Sequence, residues 1–276
     1  MTTVADKLSF SPINGVHAIV EMAIFVNFSP EFSSSTINKL VFLKDDLKEF
    51  FPKVNNVEKM DFTIDGTHTS ADKHLVGIEL QKINLDGNID WMLRTSENSI
   101  SVHCLNYTQW DIVFADAIKY LKATFKYLEG SENFISNIGL MYIDRFICDK
   151  TPESSNLSEL FNKDTDLVFK GAFGSENKLW HSHTGWYEKL DDMPCLNQLK
   201  TSASYANIKN SKKLVVTVDH SAIITGKNDT FVDYSEVNGS CQKLEGILGK
   251  LHDMNKRVLA ELLTEQMSTQ IKLVTS

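Results

Sequence analysis

No two cysteines in this chain stand close enough to build a metal knuckle or a redox pair. The four, Cys104, Cys148, Cys195 and Cys241, are widely spaced with no CxxC. That excludes a disulfide framework and a zinc knuckle, and it fits a reducing cytoplasm. Positive charge is also short: the formal net charge is -8. A generally acidic surface repels phosphate backbones, so nucleic acid is a disfavoured partner. The densest basic run, Lys209, Lys212 and Lys213 in "IKNSKK", contains no stacking aromatic and reads as a solvated turn. No apolar run approaches the ~18 residues that span a bilayer. The opening "MTTVADKLSFSP" is polar, so neither a membrane span nor a secretory leader is expected.

Familiar catalytic signatures are missing as well. The chain has no GxGxxG after a strand and no GxxxxGK[ST] phosphate loop. It has no GxSxG elbow and no HExxH. The acidic clusters "DTDLVF" and "DDMP" lack the order of an EF-hand loop. Asp191 and Asp192 in the second read as a solvated turn, and their charge opposes a thiolate at nearby Cys195.

What is present suits a packed protein. Hydrophobic residues make up 42% of 276, enough for a sizeable core. "VHAIVEMAIFVNF" (16–28) is apolar at nearly every position and predicts a strand covered on both faces. "SSSTINKLVFLKDDLKEFFPK" predicts a helix with serine at its N-cap and Pro52 as its stop. "LVGIELQKINL", "IDWMLRTS" and "SISVHCLNY" alternate as strands of an antiparallel meander. The run from Trp110 through Phe114, Ala117, Leu121, Phe125 and Leu128 predicts a long helix, with Thr108 and Asp111 at capping-box-like spacing and Gly130 as its end.

The pattern then restarts. "FISNIGLMYIDRFICD" (134–149) is again a two-sided apolar strand. A short helix "SNLSELFNK", strands at "DLVFKGAF", "NKLWHSHTGWY", "LKTSASYANI" and "KKLVVTVDH", and a helix over roughly 237–267 complete it. Both halves read strand, helix, several strands, long helix. The expected fold class is therefore α+β: an internally duplicated unit of antiparallel sheet with a long helix packed on one face. The halves divide into 1–133 and 134–276, joined as one pseudo-symmetric protein.

Candidate chemistry centres on "KLWHSHTGWYEKL" (178–190). Residues i and i+2 of a strand share a face, so His181 and His183 point together, away from Trp180 and Trp186. Neutral imidazoles at this spacing suit Zn or Fe, with His220 or His252 as a third ligand. The plainer alternative is a pair of polar groups on a partly solvated sheet face. Near "YIDRF", Asp144 and Arg145 fall on opposite faces of an apolar strand, so at least one charge is expected to be buried and paired. Glu21, on the matching strand of the first half, is the expected member with Arg145 of a central polar network. In the last helix, Gly246 and Gly249 are expected to mark a close approach to the sheet.

"PINGVHAIVEMAIFVNF", a helix ending "FFP", "YTQWDIVFADAIKYLKATF", "IGLMYIDRF", "HSHTGWY" and "LHDMNKRVLAELLTEQM" together carry a family likeness. The chain resembles a sporadically distributed, poorly characterised family of bacterial proteins of about this length. The resemblance implies an accessory-genome role such as phage defence or a mobile-element function, and no particular reaction.

The expected function is that of a cytoplasmic, non-enzymatic module without a cofactor. It would bind a protein partner or small ligand through His181, His183, Trp186, Arg145 and Glu21, and it could form a homo-oligomer. The alternatives are a metal-dependent enzyme using His181, His183 and His220, and a nucleic-acid-associated accessory subunit.

Overall fold

A computed structural model describes residues 8–65, 68–150, 155–174, 178–226 and 242–273. In chain order the strands are β1 (Phe10–Pro12), β2 (Ile19–Ser29), β3 (Lys53–Asp65), β4 (His68–Ile83), β5 (Ile89–Ser96), β6 (Ser99–Cys104), β7 (Phe134–Cys148), β8 (Trp180–Leu190), β9 (Met193–Ile208) and β10 (Ser211–Thr225). The helices are α1 (Ser34–Val41), α2 (Leu43–Asp46), α3 (Trp110–Phe125), α4 (Gly171–Gly174), α5 (Gln242–Leu262) and α6 (Glu265–Gln270). Extensive antiparallel sheet with a few helices makes the protein α+β.

Two compact units divide the chain. One comprises residues 1–22, 140–223 and 249–276; the other comprises 23–139 and 224–248. The units interleave along the chain and do not coincide with the halves 1–133 and 134–276. Strands β2, β7 and β10 and helix α5 each contribute residues to both.

In the second unit the hydrogen-bonded order is β3-β4-β5-β6-β2. Ile100, Val102 and Cys104 of β6 stand opposite Thr95, Leu93 and Trp91 of β5, and all six are buried. Aromatic contacts seat α3 on this row. Tyr120 meets Trp91 at 5.4 Å and Phe51 at 4.8 Å, both edge-on, and Phe125 meets Phe28 at 6.1 Å. Val76, Ile78 and Leu80 of β4 are buried, whereas its residues 71–74 and residues 58–62 of β3 are exposed, with a register shift at Val57/Glu58.

In the first unit the order is β7-β10-β9-β8, with β1 added to β7. Alternation runs through both central strands, broken in β10 only by the additional burial of Val215. Leu214, Val216, Val218, His220 and Ala222 of β10 are buried, as are Cys195, Asn197, Leu199, Thr201 and Ala203 of β9. The C-terminal part of α5 lies against this face: Tyr142 Oη and His252 Nδ1 are 2.9 Å apart, and Cys195 Sγ and Met254 Sδ are 3.6 Å apart. The turns between these strands are tight. Asp191 and Asp192 between β8 and β9, and Lys209 and Asn210 between β9 and β10, all have positive φ. Two such residues in succession match the twist of the flanking strands.

Several local expectations are corrected. "DLVFKGAF" forms no strand; it is a turn leading into α4, where Lys170 Nζ donates to the carbonyls of Lys163 and Thr165. The α3 N-cap is Gln109 rather than Thr108, and it makes no side-chain capping bond. The first helix is split at Phe42, which is exposed. A Cβ built on Gly246 or Gly249 meets nothing within 4 Å, so neither marks a close approach. Cys241 and the expected start of the last helix at 237–241 lie outside the described residues.

Candidate functional site: the two faces of β8

Strand β8 alternates between half-buried and exposed along its whole length. Trp180, Ser182, Thr184, Trp186, Glu188 and Leu190 form the half-buried row on the α5 side. His181, His183, Gly185, Tyr187 and Lys189 form the exposed row. Tyr187 is 73% exposed. His183 stands beside Lys200 and Tyr187 beside Leu196 of β9. Lys200 also pairs with Asp219 of β10 at 3.3 Å. The exposed row thus joins imidazole, phenol and ammonium groups on one side of the sheet.

The half-buried row feeds a polar network that sequence reading missed. Glu188 Oε1 accepts from Trp186 Nε1 at 2.8 Å and from Asn197 Nδ2 at 3.1 Å, while Arg257 donates to Oε2. Asn197 Oδ1 lies 3.1 Å from His220 Nε2, and Asn255 Nδ2 lies 2.9 Å from His220 Nδ1. One proton arrangement satisfies every member. Asn255 donates to Nδ1, the Nε2–H of a neutral His220 donates to Asn197, and Asn197 donates to Glu188. Trp186 stacks over the imidazole, with ring centroids 6.3 Å apart.

Electrostatics agree with that arrangement. Burial pushes His220 down to about 4, against the opposing pull of Glu188. Burial also raises Glu188, but hydrogen bonds from Arg257 and Trp186 outweigh it and hold the carboxyl below its usual range. The network therefore holds one neutral imidazole next to one ionised pair.

These positions change the sequence-derived site. His220 is 2% exposed and lies on the α5 side, so it does not converge with His181 and His183 on the other side. His252 bonds Tyr142, also on the α5 side. Among the described residues no cluster of three or more His, Cys, Asp or Glu could hold a metal ion. Trp186 belongs to the buried network, not to the histidine row. Arg145 is exposed and makes no ion pair among the described residues, and Glu21 is half-buried. Of the two adjacent charges on β7, the one that is buried is Asp144, not Arg145. Asp144 is 3% exposed, and burial alone pushes its carboxyl up to about 7.

The three cysteines among the described residues are poor nucleophiles. Burial pushes Cys104 up to about 12 and Cys195 up to about 11, and it raises Cys148 as well. A groove of about 300 Å³ runs between the end of β8 and α5, lined by Glu188, Lys189, Leu190, Met254 and Arg257 among others. A larger depression of about 730 Å³ lies at the α5–α6 junction; among the described residues Lys163 and Glu265 are its only ionisable lining residues.

No family model matches the chain, and no curated protein matches it. Among solved structures, the di-domain ARO/CYC StfQ from the steffimycin biosynthetic pathway is similar at 9% identity, covering 87% of this chain and 96% of that chain, with a TM-score of 0.15. An overlap that slight carries over neither fold nor activity. No helix among the described residues is long and apolar enough to cross a membrane.

Proposed function

We propose that the chain is a non-enzymatic binding module that takes a protein partner on the exposed row of β8. The observation that carries this reading is the alignment of His181, His183 and Tyr187, all exposed on one side of a regular strand whose other side is committed to α5. Tyrosine and histidine present apolar bodies with polar tips, the side-chain type that serves protein contacts. The same proposal places the protein in the cytoplasm, in an accessory role such as phage defence. It reads the two strand–helix–strands–helix runs as a duplicated unit, each laying its long helix on one face of sheet.

The test is capture of a partner by the wild type and by a His181→Ala/His183→Ala/Tyr187→Ala variant. All three side chains are exposed, so the variant is expected to keep its stability to within about 0.5 kcal/mol while losing the partner. Undiminished capture by a folded variant would remove the reading.

A second reading rests on the i, i+2 spacing of the two exposed imidazoles. Two neutral nitrogens on one face can chelate Zn or Fe, with the remaining positions left for other ligands. Metal analysis of untagged protein decides it. Stoichiometric metal in the wild type that is absent from His181→Ala/His183→Ala supports a metal site; equal metal in both variants removes it.

A further inference from the structure

Strand β8 ends the hydrogen-bonded order, and among the described residues its only strand partner is β9. Among the described residues no backbone hydrogen bond from a loop or turn reaches it. The row of amide and carbonyl groups on its outer side is thus a template for another strand. Sheet ends are usually protected, and β3, at the other end of the order, shows how. It carries Lys53, Glu58, Lys59, Asp61 and Asp65 and is interrupted by the register shift at Val57/Glu58. Strand β8 carries charge only near its C-terminal end, at Glu188 and Lys189. It runs for 11 residues without proline or bulge, and Ser182–Tyr187 contains no Asp, Glu, Lys or Arg.

We propose that β8 pairs with β8 of a second copy of this chain, antiparallel and centred on Gly185, to form a symmetric dimer. The proposal rests on the partner-binding reading above and names that partner. A two-fold axis makes any strand pairing with its own copy antiparallel, and it places each residue opposite its mirror in sequence about the centre. With Gly185 on the axis, Trp180 faces Leu190, Ser182 faces Glu188, His183 faces Tyr187 and Thr184 faces Trp186. Every pair joins residues of the same row, so the α5 side of one copy continues the α5 side of the other. No pair sets two like charges opposite each other while the histidines are neutral. At the axis, where two copies of one residue approach most closely, stands the residue without a side chain. The 300 Å³ groove beside β8 is lined by β8 and α5 residues and by none from β9. Its lining includes Leu190, the position facing Trp180 of the second copy.

Sedimentation velocity from low to high micromolar concentration tests the proposal on three proteins. The wild type is expected to reach twice the mass of the chain. His183→Glu/Tyr187→Glu sets Glu against Glu twice across the axis and is expected to weaken the dimer at least about tenfold. His183→Lys/Tyr187→Glu sets Lys against Glu and is expected to keep it. A wild type that stays monomeric overturns the proposal, as does a dimer indifferent to the first variant or lost equally in both. Capture of another protein by a monomeric wild type would overturn the dimer while leaving the binding reading intact.

Gly185→Cys tests the axis independently of the charge variants. A Cβ there meets only the Asn197 carbonyl, at 3.2 Å, and a Leu196 methyl. Under oxidised glutathione the two thiols at the axis lie within disulfide reach and give a covalent dimer. Lys189→Cys, which faces His181 and not itself, gives none. Equal cross-linking in the two variants would also overturn the register.

Discussion

Asp144→Asn is expected to stabilise the protein by about 4 kcal/mol at pH 8 and to change little at pH 4. The carboxyl lies on the α5 side of β7, between the buried Tyr142 and Phe146, and burial pushes it up to about 7. An unfolded chain ionises the same group near 3.9. Between those values the folded state holds a proton that the unfolded state has released. Stability therefore falls as pH rises through this window, and the loss is complete above about 7. The amide keeps the shape and never ionises, so it escapes that loss.

His220 works in the opposite sense. Its folded value of about 4 lies below the ordinary 6.5, so stability falls as pH drops from 6.5 toward 4. In the wild type the two slopes oppose each other across that interval. Removing Asp144 exposes the histidine slope alone: the variant gains stability steadily from pH 4 to 6.5, while the wild type stays nearly level. Urea denaturation at several pH values reads both effects. An Asp144→Asn variant that tracks the wild type at every pH would mean that the carboxyl is solvated or paired.

Gly77→Ala is the second large effect, expected to cost about 3 kcal/mol or more. Gly77 lies on β4, and a Cβ there would stand 1.9 Å from the Thr95 carbonyl oxygen and 2.5 Å from its carbon. Those are backbone atoms, pinned on either side. Ile78 N donates to Thr95 Oγ1 at 3.0 Å, and Glu97 N donates to the Val76 carbonyl at 2.9 Å. Relief would require opening the β4–β5 ladder. Gly246→Ala is the matched control. Its Cβ meets nothing within 4 Å inside a helix, and the substitution is expected to gain about 1 kcal/mol. Thermal or urea midpoints of the two variants should move in opposite directions; equal shifts would refute the steric account.

The strongest elements were legible because burial wrote itself into composition. β2 and β7 are near-continuous apolar runs, and α3 carries a wide apolar stripe, so both kinds of element were placed close to their observed bounds. Strand β3 was missed for the converse reason. Its ribbon is exposed, so nothing enforces alternation of polar and apolar residues, and only pairing with β4 makes it a strand. "DLVFKGAF" misled because its apolar residues cover a core from a turn rather than alternate across a sheet.

At the site, the shared direction of His181 and His183 followed from strand parity. The commitment of His220 was half-legible. It continues the row Leu214, Val216, Val218 and Ala222, and that row alone marks it as a buried histidine. Its partners were not readable, because Asn197 and Asn255 reach it from a different strand and a helix with no fixed spacing in sequence. Asp144 was visible as one of two charges in an apolar strand, but which of them faced inward depended on the helix side.

The three shielded thiols also make the molecule its own reporter of breathing. Cys104 belongs to one compact unit, and Cys148 and Cys195 to the other. A thiol reagent can reach each sulfur only after its strand has parted from its neighbours. In a Cys241→Ser background, labelling rates at the three positions would give an opening free energy for each unit separately. Faster labelling at Cys104 than at Cys148 and Cys195 would show residues 23–139 opening while the β7–β10 unit stays closed; equal rates would show the two units opening in a single cooperative step.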